Sequence, residues 1–485
     1  MTTTSATPTI RSHTKLFIDG EWTTPSSDNI IESISPVTEE VIATVPDGGA
    51  ADIDRAVAAA RAAFDSGPWP RLTGEERSAA IRRLRDEIDA RADELKVNFT
   101  AEIGAPNAVS EQFHHFALAM LDDAATLNDR FTFEEHREWD GGSGTIVREP
   151  VGVVGTIIPW NGPVGTASLK IGPALAAGCT VVLKPAPEGA ATMMVMAEAI
   201  AAAGFPPGVV NVVPGGREIG EHLVKHPDVD KIAFTGSTAA GRRIMSLCGE
   251  RIARVTLELG GKSAAIIADD IDLSEVLPTL VPASVGHSGQ VCAALTRVLV
   301  PRERHDELVA ALVQTFESLP VGDPTDPSTV LGPLAAERQR DRVESYFQIA
   351  RDEGVTIATG GERPADLKSG WFVKPTLLTN VTSDKRVAQE EIFGPVLTVM
   401  PFDDIDDAVR IANDTQYGLS GAVFAKDPKV GEEIARRVRT GQISVNSWSM
   451  CFTQPFGGYK QSGVGREGNV EGLEEYLETK LIQGI

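Results

Sequence analysis

The chain has 485 residues, enough for two or three domains with substantial cores. It carries 45 basic and 68 acidic side chains, a formal net charge of -23, which excludes the basic face that a nucleic-acid partner or an anionic membrane requires. Its four cysteines, Cys179, Cys248, Cys292 and Cys451, show no CxxC pairing or short metal-ligand spacing, so neither a disulfide framework nor a metal site is expected. No apolar run reaches the ~18 residues that span a bilayer. The polar start "MTTTSATPTIRSHTK" has no apolar stretch of the secretory kind. A cytoplasmic protein is expected, with its first dozen residues a loose tail.

"LFIDGEW" (16–22) reads as a short strand and turn. "ADIDRAVAAARAAFDSG" (51–67) sets Ile53, Val57, Ala60 and Phe64 on one helical face, and Pro68 and Pro70 end it. "TGEERSAAIRRLRDEIDARADEL" (73–95) opens on a capping box, Thr73 and Glu76, and continues as one helix through Ile81, Leu84, Ile88 and Leu95. The segment 130–150 reads as two strands joined by a Gly-Gly-Ser-Gly turn, too long and too polar for a core.

From about residue 150 short β-rich runs alternate with Ala-rich helices. "GVVGTIIPW" (152–160), "TVVLKP" (180–185), "VVNVVPG" (209–215) and "KIAFTG" (231–236) are the strands; 169–178, 192–204 and 216–226 are the helices. This βαβα rhythm predicts a parallel sheet with helices on both faces, and such sheets bind ligands at the carboxyl ends of their strands. A second α/β series follows residue 260, with strands at 264–269, 296–301 and 421–426 and a helix at 305–319. The C-terminal 476–485 reads as a strand. An isolated two-stranded ribbon is marginal in water, so the ribbon and this strand are expected to pair across subunits of a homo-oligomer.

Four places carry candidate chemistry. Cys292, in "HSGQVCAA", is either a buried structural thiol or, among such small neighbours, a reachable nucleophile. Glu258, between Leu257 and Leu259, is either a solvated strand-end carboxylate or a base whose pKa the apolar setting raises. Asn161, after Trp160, is either a turn residue or an amide donor to an oxyanion. "GSTAAG" (236–241) follows a strand and opens a helix, which suits a phosphate, although it lacks the middle glycine of G-x-G-x-x-G.

"PWN", "GPALAAGCTVVLKPAP", "FTGSTAAG", "LELGGKS", "GQVC", "EEIFGPV" and "PFGGYKQSGVGRE" together resemble the aldehyde dehydrogenase superfamily, in the family's order and over nearly the whole chain. The resemblance implies an α/β fold with a Rossmann-like cofactor domain (1–127 and 150–259). An α/β catalytic domain (260–468) and a small β oligomerisation ribbon (128–149 and 469–485) complete it. It implies NAD(P)-dependent oxidation of an aldehyde to an acid: Cys292 adds to the carbonyl, Asn161 and the Cys292 N–H hold the oxyanion, and Glu258 activates the water that hydrolyses the thioester. Lys170 and Glu467 match positions of a proton relay and equally suit a structural ion pair.

For the cofactor the resemblance points to Ile157, Ile158, Pro159, Trp160, Lys184, Glu188, Gly236, Ser237, Thr238, Gly241, Leu259, Gly260, Glu391 and Phe393. Lys184 would reach the adenosine ribose, Ser237 the pyrophosphate and Glu391 the nicotinamide ribose. Many NAD-preferring members carry Glu three residues after this Lys; here Pro187 stands there and Glu188 follows. Glu188 is expected to face the ribose and repel a 2′-phosphate, so NAD is expected and NADP left open. Gly162, Thr166, Leu169, Val285 and Gly286 would line a roomy tunnel for a medium-sized or cyclic apolar aldehyde. Three other readings are a coenzyme A-acylating relative, a non-catalytic binding member, and a thiol hydrolase pairing Cys292 with His287.

Overall fold

A computed structural model describes residues 10–268 and 271–484. The tail expected over the first dozen residues lies, through residue 9, outside the described residues. The part that is described is not loose: Ile10 is buried, and Arg11 pairs with Glu94 and Glu198 at 3.0 and 2.7 Å.

The first half of the chain builds an eight-stranded sheet. Its order is Gly463–Val464, Arg254–Glu258, Lys231–Thr235, Val153–Ile158, Thr180–Pro185, Val210–Val212, Leu16–Ile18 and Glu21–Thr23. The five strands from Arg254–Glu258 to Val210–Val212 run parallel. Val153–Ile158 and Thr180–Pro185 are buried at every residue, which is why both read as unbroken Val/Ile-rich runs rather than alternating ones. From Val153–Ile158 the chain steps outward through two neighbours on one side. It then crosses to Lys231–Thr235 and Arg254–Glu258 on the other. This reversal opens a crevice at the carboxyl ends of Val153–Ile158 and Lys231–Thr235. The segments leaving those ends are Pro159–Asn161 and Gly236–Ser237.

A seven-stranded sheet follows, in the order Thr356–Thr359, Thr376–Thr379, Val396–Phe402, Leu295–Pro301, Ser263–Ile267, Gly421–Phe424 and Ser444–Val445. Only the first pair is antiparallel. The strand read at 264–269 is Ser263–Ile267, and Asp269 lies outside the described residues.

Two expectations change. The helix read as 73–95 is two, Gly74–Asp89 and Ala92–Ile103. Its capping box is present, with Glu76 N–H on the Thr73 hydroxyl at 3.2 Å and Thr73 N–H on the Glu76 carboxylate at 2.8 Å. Arg91 turns its guanidinium back onto the Glu87 carbonyl at 2.8 Å and closes the first helix. Asp93 and Glu94 then suit the positive start of the next. The C-terminal strand, expected to pair with another subunit, pairs within the chain. Leu477–Gln483 lies antiparallel to Gly142–Pro150, from Leu477 opposite Pro150 to Gln483 opposite Gly144. Gly142–Pro150 also carries Glu134–Trp139 on its other edge. The sheet is therefore three-stranded, the number that a small ribbon needs to hold in water.

Candidate active site

A cavity of about 1330 Å³ runs through the crevice, above the ~300–1,000 Å³ usual for ligand sites. Cys292, Glu258, Asn161 and Glu467 line it, and so do Pro159, Trp160, Gly236, Ser237, Thr238, Leu259, Gly260, Glu391 and Phe393. The structure thus gathers residues from both sheets into one space.

Glu258 ends its strand opposite Thr235. The chain then leaves through Gly260 and Gly261, and both glycines are required by crowding. A Cβ on Gly260 would meet a Glu391 carboxylate oxygen at 2.2 Å, and one on Gly261 would meet the Cys292 carbonyl oxygen at 2.5 Å. This bare backbone lets the base-bearing strand end pass between two other site residues. Gly261 N–H also donates to Glu391 Oε1 at 3.1 Å. Gln339 holds the Phe393 carbonyl at 2.7 Å and Arg342 the Glu391 carbonyl at 2.6 Å.

Asn161 is held at both ends. Its side-chain amide donates to the Gln290 carbonyl at 2.8 Å, which fixes its plane and leaves one N–H unused. Its own carbonyl accepts from His287 Nε2 at 3.0 Å. His287 is buried, and burial lowers its pKa to about 4, so it is neutral at pH 7 and donates from Nε2. Its ring packs on Phe99 and Phe113, with centroids 5.7 and 5.4 Å away. His287 therefore props Asn161 through Nε2.

Glu258 is buried, and neither carboxylate oxygen has a hydrogen-bond partner. Burial raises its pKa well above the carboxylate range, and the neighbouring negative charge of Glu467 adds to this. Glu467 is itself ion-paired with Lys170, both fully buried or nearly so. Lys170 stands behind Glu467 rather than on the cavity wall. Cys292 is half-buried and opens on the cavity. Desolvation pushes its thiol up to about 12, with Glu391 and Glu258 reinforcing the rise; the N–H groups of Ala293 and Cys292 itself act the other way.

The remaining expected cofactor residues are not on the wall. Ile157 and Ile158 are buried in their strand, and Gly241 sits under Leu259. Lys184 is buried and donates to the carbonyls of Pro185, at 3.0 Å, and of Gly215. Glu188, expected to present a free carboxylate, is ion-paired to Arg338. Ser237 caps the helix Thr238–Arg251 by accepting the Ala240 N–H at 3.3 Å, which leaves its O–H free to donate.

The residues expected around the tunnel, Gly162, Thr166, Leu169, Val285 and Gly286, all line the cavity. Gly286 faces open space, and a Cβ on Gly162 would meet Phe113 at 2.6 Å. The same wall also carries Phe113 and Phe116. They stand one helical turn apart on Asn107–Ala124, a segment with no motif to announce it. Phe116 packs on Phe452 at 4.5 Å and Phe452 on Phe456 at 4.3 Å, and Trp448 and Met450 join the lining. Arg338, Gln339 and Arg342 were also missed, because "ERQRDR" reads as an ordinary solvated helix surface.

The crevice thus brings a buried carboxylate and a half-buried thiol into one cavity. The signature of the Aldehyde dehydrogenase family matches residues 22–482. The chain is 44% identical over 472 residues to geranial dehydrogenase of Castellaniella defragrans, covering 97% of this chain and 98% of that one. It superposes on the crystal structure of a Mycobacterium tuberculosis aldehyde dehydrogenase complexed with NAD+ with a TM-score of 0.96 and 45% identity, covering 98% of each chain. It superposes on a mutant of aldehyde dehydrogenase C from Pseudomonas syringae, complexed with NAD+ and octanal, with a TM-score of 0.93 and 42% identity, covering 96% of each chain. The chain belongs to the aldehyde dehydrogenase family.

The raised Cys292 thiol is open to direct measurement. In a Cys451→Ser background, which removes the exposed thiol, alkylation of Cys292 by iodoacetamide should climb about tenfold per pH unit between roughly pH 7 and 10. Peptide mass spectrometry reads the rate. A plateau near the ordinary thiol pKa of about 8.5 would show that burial does not hold the proton on.

Proposed function

We propose that this protein oxidises a medium-sized apolar aldehyde to the carboxylic acid, with NAD as cofactor, by covalent catalysis at Cys292. The observation that carries the reading is the unpaired, buried Glu258 carboxylate in the same cavity as Cys292 and the anchored amide of Asn161.

In this reading Glu258 takes the Cys292 proton and the sulfur adds to the aldehyde carbon. The free N–H of Asn161, with the Cys292 backbone N–H, stabilises the alkoxide of the resulting thiohemiacetal. NAD, when bound, supplies the acceptor for the hydride that leaves as the carbonyl reforms. Once Glu258 has given up the Cys292 proton, it removes a proton from water, which adds to the Cys292 thioester; the acid is released as the leaving sulfur takes a proton back from Glu258. Lys170 and Glu467 lie behind Glu258 and carry its proton onward. The donor set suits a dinucleotide. N–H groups at the start of Thr238–Arg251 and the Ser237 hydroxyl would hold the diphosphate, Glu391 would hold the ribose hydroxyls, and Trp160 and Phe393, packed edge to face on each other, would offer the cofactor's rings an aromatic wall. We assign cofactor binding to 1–127 and 150–259, catalysis to 260–468, and assembly to 128–149 and 469–485. The four free cysteines fit a cytoplasmic setting.

Substitution separates the half-reactions and the coenzyme A-acylating alternative. Cys292→Ala should abolish NADH formation, followed at 340 nm, while NAD binding persists. Glu258→Gln should slow turnover by about 10²-fold or more. Full steady-state turnover by Glu258→Gln, or turnover that requires coenzyme A, would overturn the hydrolytic role of Glu258.

Aromatic walls from Phe116, Phe452 and Trp448, and an apolar mouth from Val109, Val281, Pro282 and Val330, favour alkyl chains. Relatives of similar sequence and structure are named for geranial or were solved with octanal. Each added CH₂ should raise kcat/KM about fourfold until the tunnel is full, from about 0.8 kcal/mol per buried group. The series acetaldehyde, hexanal, octanal and geranial reads this, and acetaldehyde as the best substrate would refute it.

The protein should also assemble as a dimer or tetramer through the three-stranded sheet. Its edge strand Glu134–Trp139 is open, and Trp139, Leu481 and Ile482 are 41–42% exposed. Sedimentation at micromolar concentration should show no monomer; a monomer would dismiss the idea.

A further inference from the structure

The Glu188 carboxylate, expected to face the adenosine ribose, does not stand free. It is bound by Arg338, which projects from the first turn of the helix Glu337–Asp352. The two come from opposite banks: Glu188 follows a strand of the eight-stranded sheet, and Arg338 belongs to the segment that carries the seven-stranded one. Their side chains differ in exposure, 21% for Glu188 and 60% for Arg338, so the arginine reaches in from solvent and lines the cavity. Lys184, four residues before Glu188, also feels its charge and, in the same direction, that of Asp47. Glu188 thus has a cation bound to it before any nucleotide arrives.

This changes how the pair would discriminate. A carboxylate already neutralised repels a 2′-phosphate weakly. A guanidinium held by Glu188 must turn away from it to present its full fork to one. Guanidinium and phosphate match as a bidentate fork, a stronger pairing than a point charge gives. We propose that Arg338 is a latent site for the 2′-phosphate of NADP, kept shut by Glu188, so that the ion pair rather than bare repulsion sets the preference for NAD. The proposal rests on placing the adenosine ribose beside Lys184 and Glu188.

The probes are 5′-AMP and 2′,5′-ADP, which carry the ribose end without the nicotinamide, titrated by calorimetry into the unliganded protein. Glu188→Gln, Arg338→Gln and the double variant are compared with the parent, and thermal melts confirm that each is folded. Glu188→Gln should tighten 2′,5′-ADP about tenfold or more, and adding Arg338→Gln should erase that gain. 5′-AMP should stay within about twofold throughout. NADP should follow 2′,5′-ADP in kcat/KM. If Glu188→Gln improves 2′,5′-ADP equally with and without Arg338, repulsion alone is at work and the latent site is refuted. If the variants move neither nucleotide, or 5′-AMP shifts as much as 2′,5′-ADP, the 2′-position does not lie at this pair and the proposal fails together with that ribose placement, while catalysis at Cys292 is untouched.

Discussion

The buried ion pair of Lys170 and Glu467 is the constraint on which the site depends. Both residues are almost wholly inside the protein, where an unpaired charge costs several kcal/mol. Lys170 belongs to the helix Pro163–Ala177, which leaves directly from Asn161; Glu467 belongs to the C-terminal region that returns across the cavity. The pair therefore ties the helix that follows Asn161 to the end of the chain. It also sets the local charge. Lys170 is matched to Glu467, and burial, reinforced by the Glu467 charge, gives the Glu258 carboxylate its high affinity for a proton.

A second constraint is crowding at the strand end. Glu258, Glu391 and Cys292 come from three separate stretches, and the chain after Glu258 must run between the other two. Gly260 and Gly261 make this possible by having no Cβ to place there. Asn161 reaches the same space from the switch point of the first sheet, where the chain's reversal opens a crevice that needs no special residues. Topology supplies the cleft and two bare residues admit the chemistry.

This explains what the sequence could disclose. The parallel strands were legible because burial on both faces leaves unbroken Val and Ile runs, whereas Cys292, Glu258 and Asn161 stayed ambiguous on local grounds and were singled out by family likeness. The Lys170–Glu467 contact spans 297 residues, and its positions came from family likeness rather than spacing. Phe113 and Phe116 escaped because an aromatic pair on a helix face reads as core whether it borders a core or a cavity. Arg338 escaped for the opposite reason: among Glu337, Arg340, Asp341 and Arg342 it looks like solvated surface, and only the fold brings Glu188 to it. The break at Ala90–Arg91 was hidden because Ile88 and Leu95 keep helical phase across it.

Burial acts on the thiol and the carboxylate in the same direction, and this links their chemistry. It holds a proton on Cys292, and it makes Glu258 willing to accept one. Passing the Cys292 proton to Glu258 creates no new charge in the cavity, since one anion replaces another. The move also removes one of the two negative charges, Glu258 and Glu391, that hold the thiol's pKa up. Protonated Glu258 thus makes its own product, the thiolate, easier to keep. A cation paired directly to Glu258 would pull its pKa down and break this exchange. Lys170 bonds to Glu467 and not to Glu258, so its pull on Glu258 stays weaker than burial.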